Sequence, residues 1–150
     1  MCIRDRGKVV LVLELTERDL LVADPHTLSL FRQLNEMGVR LAMDDFGTGH
    51  SSLVYLQQFN VDYLKIDQSF IGRIGTESLS EHIVANVIDL GHRLGLTLIA
   101  EGVETRQQAN YLKGKVAYLQ GYLFGRPVPL RQFCAVLRAE AASRAMSLAS

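Results

Sequence analysis

At 150 residues, with 48% hydrophobic and 21% charged side chains, the chain is long enough for one domain with a real core and has none of the bias of a disordered segment. Sixteen basic and sixteen acidic residues cancel, which excludes a bulk field able to hold the protein on a nucleic-acid polymer or an anionic membrane, so an anionic ligand must be caught locally. Cys2 and Cys134 lie far apart without metal-ligand spacing and fit a reducing cytoplasm better than a disulfide scaffold, and no run approaches the ~18 apolar residues of a membrane span.

Residues 1 to 7 show neither period nor cap and are expected to be foreign to the fold, as a product of truncation or reading frame, or else unstructured. No signal peptide is recognisable, although an upstream part of a longer parent could carry membrane anchors. The run Val9 to Leu13 reads as a strand that ends in Glu14. Asp24 then caps a helix with Pro25 at its first position, and Leu28, Phe31, Leu34 and Met37 recur at three-residue steps until Gly38 stops it.

The next run, Val39 to Met43, ends in Asp44-Asp45, immediately before the glycine turn Phe46-Gly47-Thr48-Gly49. Adjacent carboxylates at a strand mouth point to a divalent metal. Tyr63-Leu64 runs into Lys65 and Asp67. Ser80 is expected to cap a helix with the stripe Ile83, Val84, Val87, Ile88 and Leu94, stopped by Gly95. Leu96 to Ala100 ends in Glu101, a short helix follows Glu104-Thr105, and Val116 to Leu119 ends in Gln120. A last helix begins near Pro129 and carries Phe133, Val136 and Leu137, and residues 141 to 150 form an Ala- and Ser-rich frayed tail.

A polar group ending an apolar strand costs burial energy unless it finds a partner, so five such endings imply a shared purpose. Strands alternating with helices imply a parallel sheet, whose strand ends all point to one rim. Functional groups drawn from many successive strand ends favour a closed barrel over an open doubly wound sheet, and the three-glycine phosphate fingerprint is absent. A (β/α)8 barrel takes roughly 250 residues. The expected fold is therefore α/β, a partial (β/α)8 TIM-type barrel holding about the last five βα units.

Glu14-Leu15-Thr16-Glu17, the segment from Asp44 to Leu53, Leu64-Lys65-Ile66-Asp67, the segment from Ala100 to Thr105 and the segment from Gln120 to Pro127 occur in the order seen in EAL domains, and residues 8 to 140 resemble the C-terminal part of such a domain. EAL domains are bacterial phosphodiesterases that open cyclic di-GMP to the linear dinucleotide pGpG. The resemblance implies Mg2+ or Mn2+ as cofactor, with Glu14, Asp44, Asp45 and Glu101 as ligands. It implies Lys65 against the developing phosphate charge and Glu101 as metal ligand or general base. Gln120 would hydrogen-bond water at the metal, and Glu17 would prop the loop that begins Phe46-Gly47-Thr48-Gly49. Asp67 and Glu104 would line the site, although singly Glu17, Asp67 and Glu104 could equally be helix caps or solvated loop residues. Hard cations take oxygen ligands, and a pair of them can activate water near neutral pH and clamp both oxygens of an in-line phosphodiester displacement.

Some features depart from that pattern. The Glu-Ala-Leu triplet with its arginine and a later asparagine ligand are not present, which is expected if they belong to a missing N-terminal part. Ala117 stands where the family usually shows aspartate, and the irregular stretch from Gly114 is expected to displace Gln120 slightly. His50 replaces a common tyrosine and is read as an exposed loop residue, as His26, His82 and His92 are read as surface residues of helices. Tyr122 and Phe124 could stack on guanine or pack beneath the barrel, while Gly121 and Gly125 most simply serve the turn.

Two functions are therefore expected to compete. The first is metal-dependent hydrolysis of cyclic di-GMP, with this chain a truncated domain inactive alone; the second is a degenerate cyclic di-GMP receptor or regulatory module. Candidate partners are cyclic di-GMP, upstream GGDEF or sensor domains, and a second copy of the chain. The survival of every visible carboxylate and of Lys65 favours the enzyme.

Overall fold

The apolar runs form one sheet whose strands follow chain order. The computed structural model describes residues 2–5, 8–16, 24–46, 56, 59–76, 78–129, 131–136 and 138–139. Strand β1 (Cys2–Asp5) pairs antiparallel with β2 (Lys8–Leu15). Then β3 (Arg40–Phe46), β4 (Tyr63–Ile66), β5 (Thr97–Ala100) and β6 (Tyr118–Leu119) follow in parallel. The five parallel strands curl into a half-barrel, as the alternation of strand and helix requires.

The presence of β1 corrects the expectation that residues 1 to 7 lack regular structure, because 2–5 form an edge strand. Its cause is not a period within the segment. An edge such as that of β2 offers a row of backbone donors and acceptors, and the preceding residues satisfy them.

Helix α1 (Pro25–Glu36) starts as its sequence dictates: the Asp24 carboxylate accepts from the Thr27 N–H at 2.8 Å, with Pro25 at the first position. Gly38, at φ 89°, turns the chain into β3. A four-residue helix, α2 (Gln68–Ile71), follows β4, and α3 (Ser78–Arg93) begins two residues before the expected cap, so Ser80 is buried in its first turn instead of capping it. The earlier start is secured by Glu81, whose Oε1 accepts from the Gly75 N–H at 2.9 Å. Helix α4 (Arg106–Leu112) carries a complete capping box between Thr105 and Gln108. Residues 131–136 are helical, and Leu137 lies outside the described residues.

Between helices and sheet lies the main core, which includes Phe31, Leu41, Met43, Leu64, Ile66, Val84, Val87, Leu98 and Ala100. Each of the larger side chains contributes about 1.5–3 kcal/mol on leaving water. Val12, Ala42 and Ile99 form a second cluster on the other, concave face, with Val10, Tyr63 and Tyr118 against it. At the N-terminal ends of the strands Asp62 acts as a clip. Its Oδ2 accepts from the Leu41 N–H at 3.0 Å, its Oδ1 meets Arg40 at 3.1 Å, and its carbonyl accepts from the Thr97 N–H at 3.0 Å. No described helix is long and apolar enough to cross a membrane.

Candidate active site

Strand alternation builds the site. Two residues beyond Val12, Ala42, Tyr63, Ile99 and Tyr118 on the concave face stand Glu14, Asp44, Lys65, Glu101 and Gln120, which the period of two places on that same face at the C-terminal rim. Tyr63 and Tyr118 meet edge to face at 6.2 Å beneath them. The apolar layer is thus the floor, and the polar strand ends are the rim.

Lys65 lies at the centre. Its Nζ donates to Glu101 Oε1 at 2.6 Å, to Glu14 Oε2 at 2.8 Å and to Asp44 Oδ1 at 3.0 Å, so three strands each send one carboxylate to a fourth strand's ammonium. The lysine side chain is only 2% exposed, whereas its partners keep between 18% and 30% of theirs. Burial alone would push the ammonium pKa down, but the hydrogen bonds it donates to Glu101, Glu14 and Asp44, with the charge of Glu101, outweigh it and hold Lys65 above its ordinary range. Glu101 is raised above its ordinary value, first by burial and further by the charges of Asp44 and Glu14, against the hydrogen bond and charge of Lys65 that lower it. The Lys65 direction follows from the stoichiometry, because one ammonium stays charged among three carboxylates.

Asp44 and Asp45 reach one rim through a break in the ladder. Met43 pairs with Leu64 and Phe46 with Ile66, so two residues of β3 stand opposite the single Lys65. The extra residue is accommodated by Asp45 at φ 55°, a left-handed conformation that aspartate tolerates better than most side chains. Asp44 Oδ1 also accepts from the Asp45 N–H at 3.0 Å. Burial first, then the charges of Asp44 and Asp67, raise the pKa of Asp45.

The remaining expected residues divide. Asp67 caps α2, its carboxylate accepting from the Ser69 N–H at 2.8 Å, while also facing Asp45. Glu104 is exposed, its N–H donating to Gln108 Oε1. Gln120 is exposed just beyond β6, and since Ile99 pairs with Tyr118 and Ala100 with Leu119, the register continues to it level with Glu101. Phe46 is buried in the core, whereas Glu17, Gly47, Thr48, Gly49 and His50 lie outside the described residues. His26, His82 and His92 are exposed on helices as expected.

Tyr122 and Phe124 are both exposed, so neither packs beneath the barrel, and Arg126 lies 4.4 Å over the Tyr122 ring. Gly121 serves close approach, not the turn, since a Cβ there would strike the Val103 backbone. Reading the strand ends missed Gln108, Asp62 and the bulge. For Gln108 the signal was present, as Thr105 and Gln108 have capping-box spacing.

Glu14, Asp44, Asp45 and Glu101 offer only hard oxygen donors, the chemistry that Mg2+ and Mn2+ select. By donor type the set fits such an ion. Among the described residues, however, no three acids enclose a common point in metal-holding geometry. The position between Glu14, Asp44 and Glu101 is filled by Lys65 Nζ.

The family model for the EAL domain matches residues 7–127. The chain is 49% identical over 124 residues to the probable cyclic di-GMP phosphodiesterase PdeN of Escherichia coli, covering 82% of this chain and 24% of PdeN. It resembles the solved structure of the Pseudomonas aeruginosa phosphodiesterase PaMucR with c-di-GMP at a TM-score of 0.71 and 42% identity, over 82% of this chain and 50% of that one. It also resembles the manganese and cyclic di-GMP complex of Klebsiella pneumoniae BlrP1 at a TM-score of 0.65 and 35% identity, over 77% of this chain and 30% of that one. The chain thus spans about a quarter of the curated relative's length and half or less of the solved chains. Since the matched segment runs through every strand end from Glu14 to Gln120, the chain belongs to the EAL domain family.

Proposed function

We propose that this chain supplies one side of a metal-dependent phosphodiesterase site that hydrolyses cyclic di-GMP to pGpG, in a longer cytoplasmic signalling polypeptide. The observation that carries the reading is the gathering of Glu14, Asp44 and Glu101, from three strands, around the buried Lys65. Relatives named as cyclic di-GMP phosphodiesterases and a neighbour solved with manganese support it.

In this reading Glu14, Asp44, Asp45 and Glu101 hold Mg2+ or Mn2+. When bound, such ions supply Lewis acidity and bring the pKa of water toward neutrality. Lys65, fixed as a cation, faces the negative charge that develops on the phosphoryl oxygens. Glu101, whose pKa burial raises, takes up the proton of the attacking water, a role favoured when a carboxyl moves toward the working pH. Gln120 offers an amide at the same level of the rim, and Phe46 anchors the start of the loop after β3. Glu17 props that loop, and Asp67 supports the rim through α2. Upstream, a GGDEF or sensor domain is the expected partner, as the bifunctional diguanylate cyclase/cyclic di-GMP phosphodiesterase MucR suggests.

The test is an assay of the full-length polypeptide with cyclic di-GMP and Mg2+ or Mn2+, resolving pGpG by ion-exchange chromatography. Formation of pGpG, and its suppression by Ca2+, whose larger and looser coordination misplaces the reacting oxygens, are the expected results. One observation favours a second reading, a cyclic di-GMP receptor without turnover: Lys65 already engages all three carboxylates. Binding of cyclic di-GMP by calorimetry with no pGpG at any metal concentration would select the receptor.

A further inference from the structure

An ammonium has three N–H donors, and all three of those on Lys65 are directed at carboxylates. It stands where a cation bridging Glu14, Asp44 and Glu101 would have to stand. Three carboxylates from neighbouring strands repel one another, and Lys65, almost fully out of water, is the positive charge that holds them in place. The ammonium is therefore a structural counter-ion here, with no donor left for a substrate.

We propose that Lys65 is the resident occupant of the metal position: a divalent cation binds by displacing Nζ from at least one of its carboxylates, and that displacement frees the ammonium for an incoming phosphate. The inference rests on reading this rim as a divalent-metal site. It orders events, because Lys65 reaches an anionic ligand only after the cation has taken over its task of holding the carboxylates. It also separates two roles of one residue, as an internal counter-ion before loading and an anion contact afterwards.

The experiment compares the chain with its Lys65→Met variant, which keeps the length and apolar stem of the side chain but removes the charge. Thermal melts and Mn2+ titration calorimetry are run on both. Without metal the variant melts lower. Mn2+ then raises its melting temperature more than that of the unsubstituted chain and binds it on the order of tenfold more tightly.

If the variant binds Mn2+ equally or more weakly, Lys65 organises the ligands for the metal, and the exchange is overturned while the metal site stands. If neither protein binds Mn2+, the metal reading fails and the exchange with it. Should the variant not fold, the unsubstituted chain decides through the 15N resonance of its Lys65 ammonium, protected by burial in the metal-free state. Mg2+ is expected to move or abolish that resonance, and an unchanged signal in Mg2+-saturated protein would falsify the proposal.

Discussion

Lys65 is surrounded by more negative charge than one ammonium can neutralise, and the consequences can be measured without substrate. Lys65→Ala removes the ammonium that three partly buried carboxylates share, and stability in metal-free buffer is expected to fall by about 3–5 kcal/mol in urea titrations. Lys65→Arg should not restore it, since a planar guanidinium cannot meet three carboxylates from three directions. Glu101 and Asp45 shape the pH response. Both have folded pKa values above their ordinary 4.5 and 3.8, so the stability each contributes is fully present below those values and is lost as pH rises through its raised folded value. Metal-free melting temperatures should therefore decline on leaving the acidic side of that window. Asp45→Asn, which keeps a residue tolerant of positive φ, should flatten the decline and raise the melting temperature at neutral pH. An unchanged profile in the Asn variant would remove Asp45 from that account. These residues were legible before any coordinates because each ends an apolar run. Their common dependence on Lys65 was not, since a run of residue types does not say which cation its acids will find.

Among the elements, the five parallel strands were legible, whereas β1 and the fastenings between strands were not. Parity along β2, β3, β4 and β5 carries Glu14, Asp44, Lys65 and Glu101 to one face, and that parity is a property of the sequence. Helix α2 has four residues, too few for a period to show. Asp62 escaped notice because its partners, the Arg40 guanidinium and the N–H groups of Leu41 and Thr97, lie on strands distant in sequence. The capping box of α4 fixes the segment between Glu101 and Thr105, with Gln108 Oε1 accepting from the N–H groups of Glu104 and Thr105 at 2.8 and 2.9 Å. Thr105→Ala should cost about 1 kcal/mol of stability in denaturant titrations. Gly121→Ala is expected to cost about 1–3 kcal/mol, because the added methyl meets backbone atoms of Val103 that cannot step aside. Its need for glycine was invisible in the sequence, as the contact joins segments 18 residues apart.

On the scale of the molecule, five parallel strands and one antiparallel strand leave a sheet that does not close among the described residues. Strand β6 pairs there with β5 alone, and Leu11 and Leu13 on β2 are exposed. Such a half-barrel presents both an edge and apolar surface to solvent. The 150-residue chain is accordingly expected to associate as its concentration rises, which sedimentation velocity would reveal, and to yield little or no pGpG. A monomer that turned over cyclic di-GMP would contradict both expectations. The fold class was legible because strand and helix signals alternate, but the pairing of β1 was not, since it answers to an open edge and not to any pattern of its own.

The irregular pairing of β3 with β4 has a further consequence. Removing Asp45 would let Asp44 face Lys65 in an ordinary one-to-one ladder and would relieve a backbone held at φ 55°. The shortened protein would gain robustness while surrendering a carboxylate. Natural variation that favours durability over chemistry would find its simplest route there, in the loss of one codon.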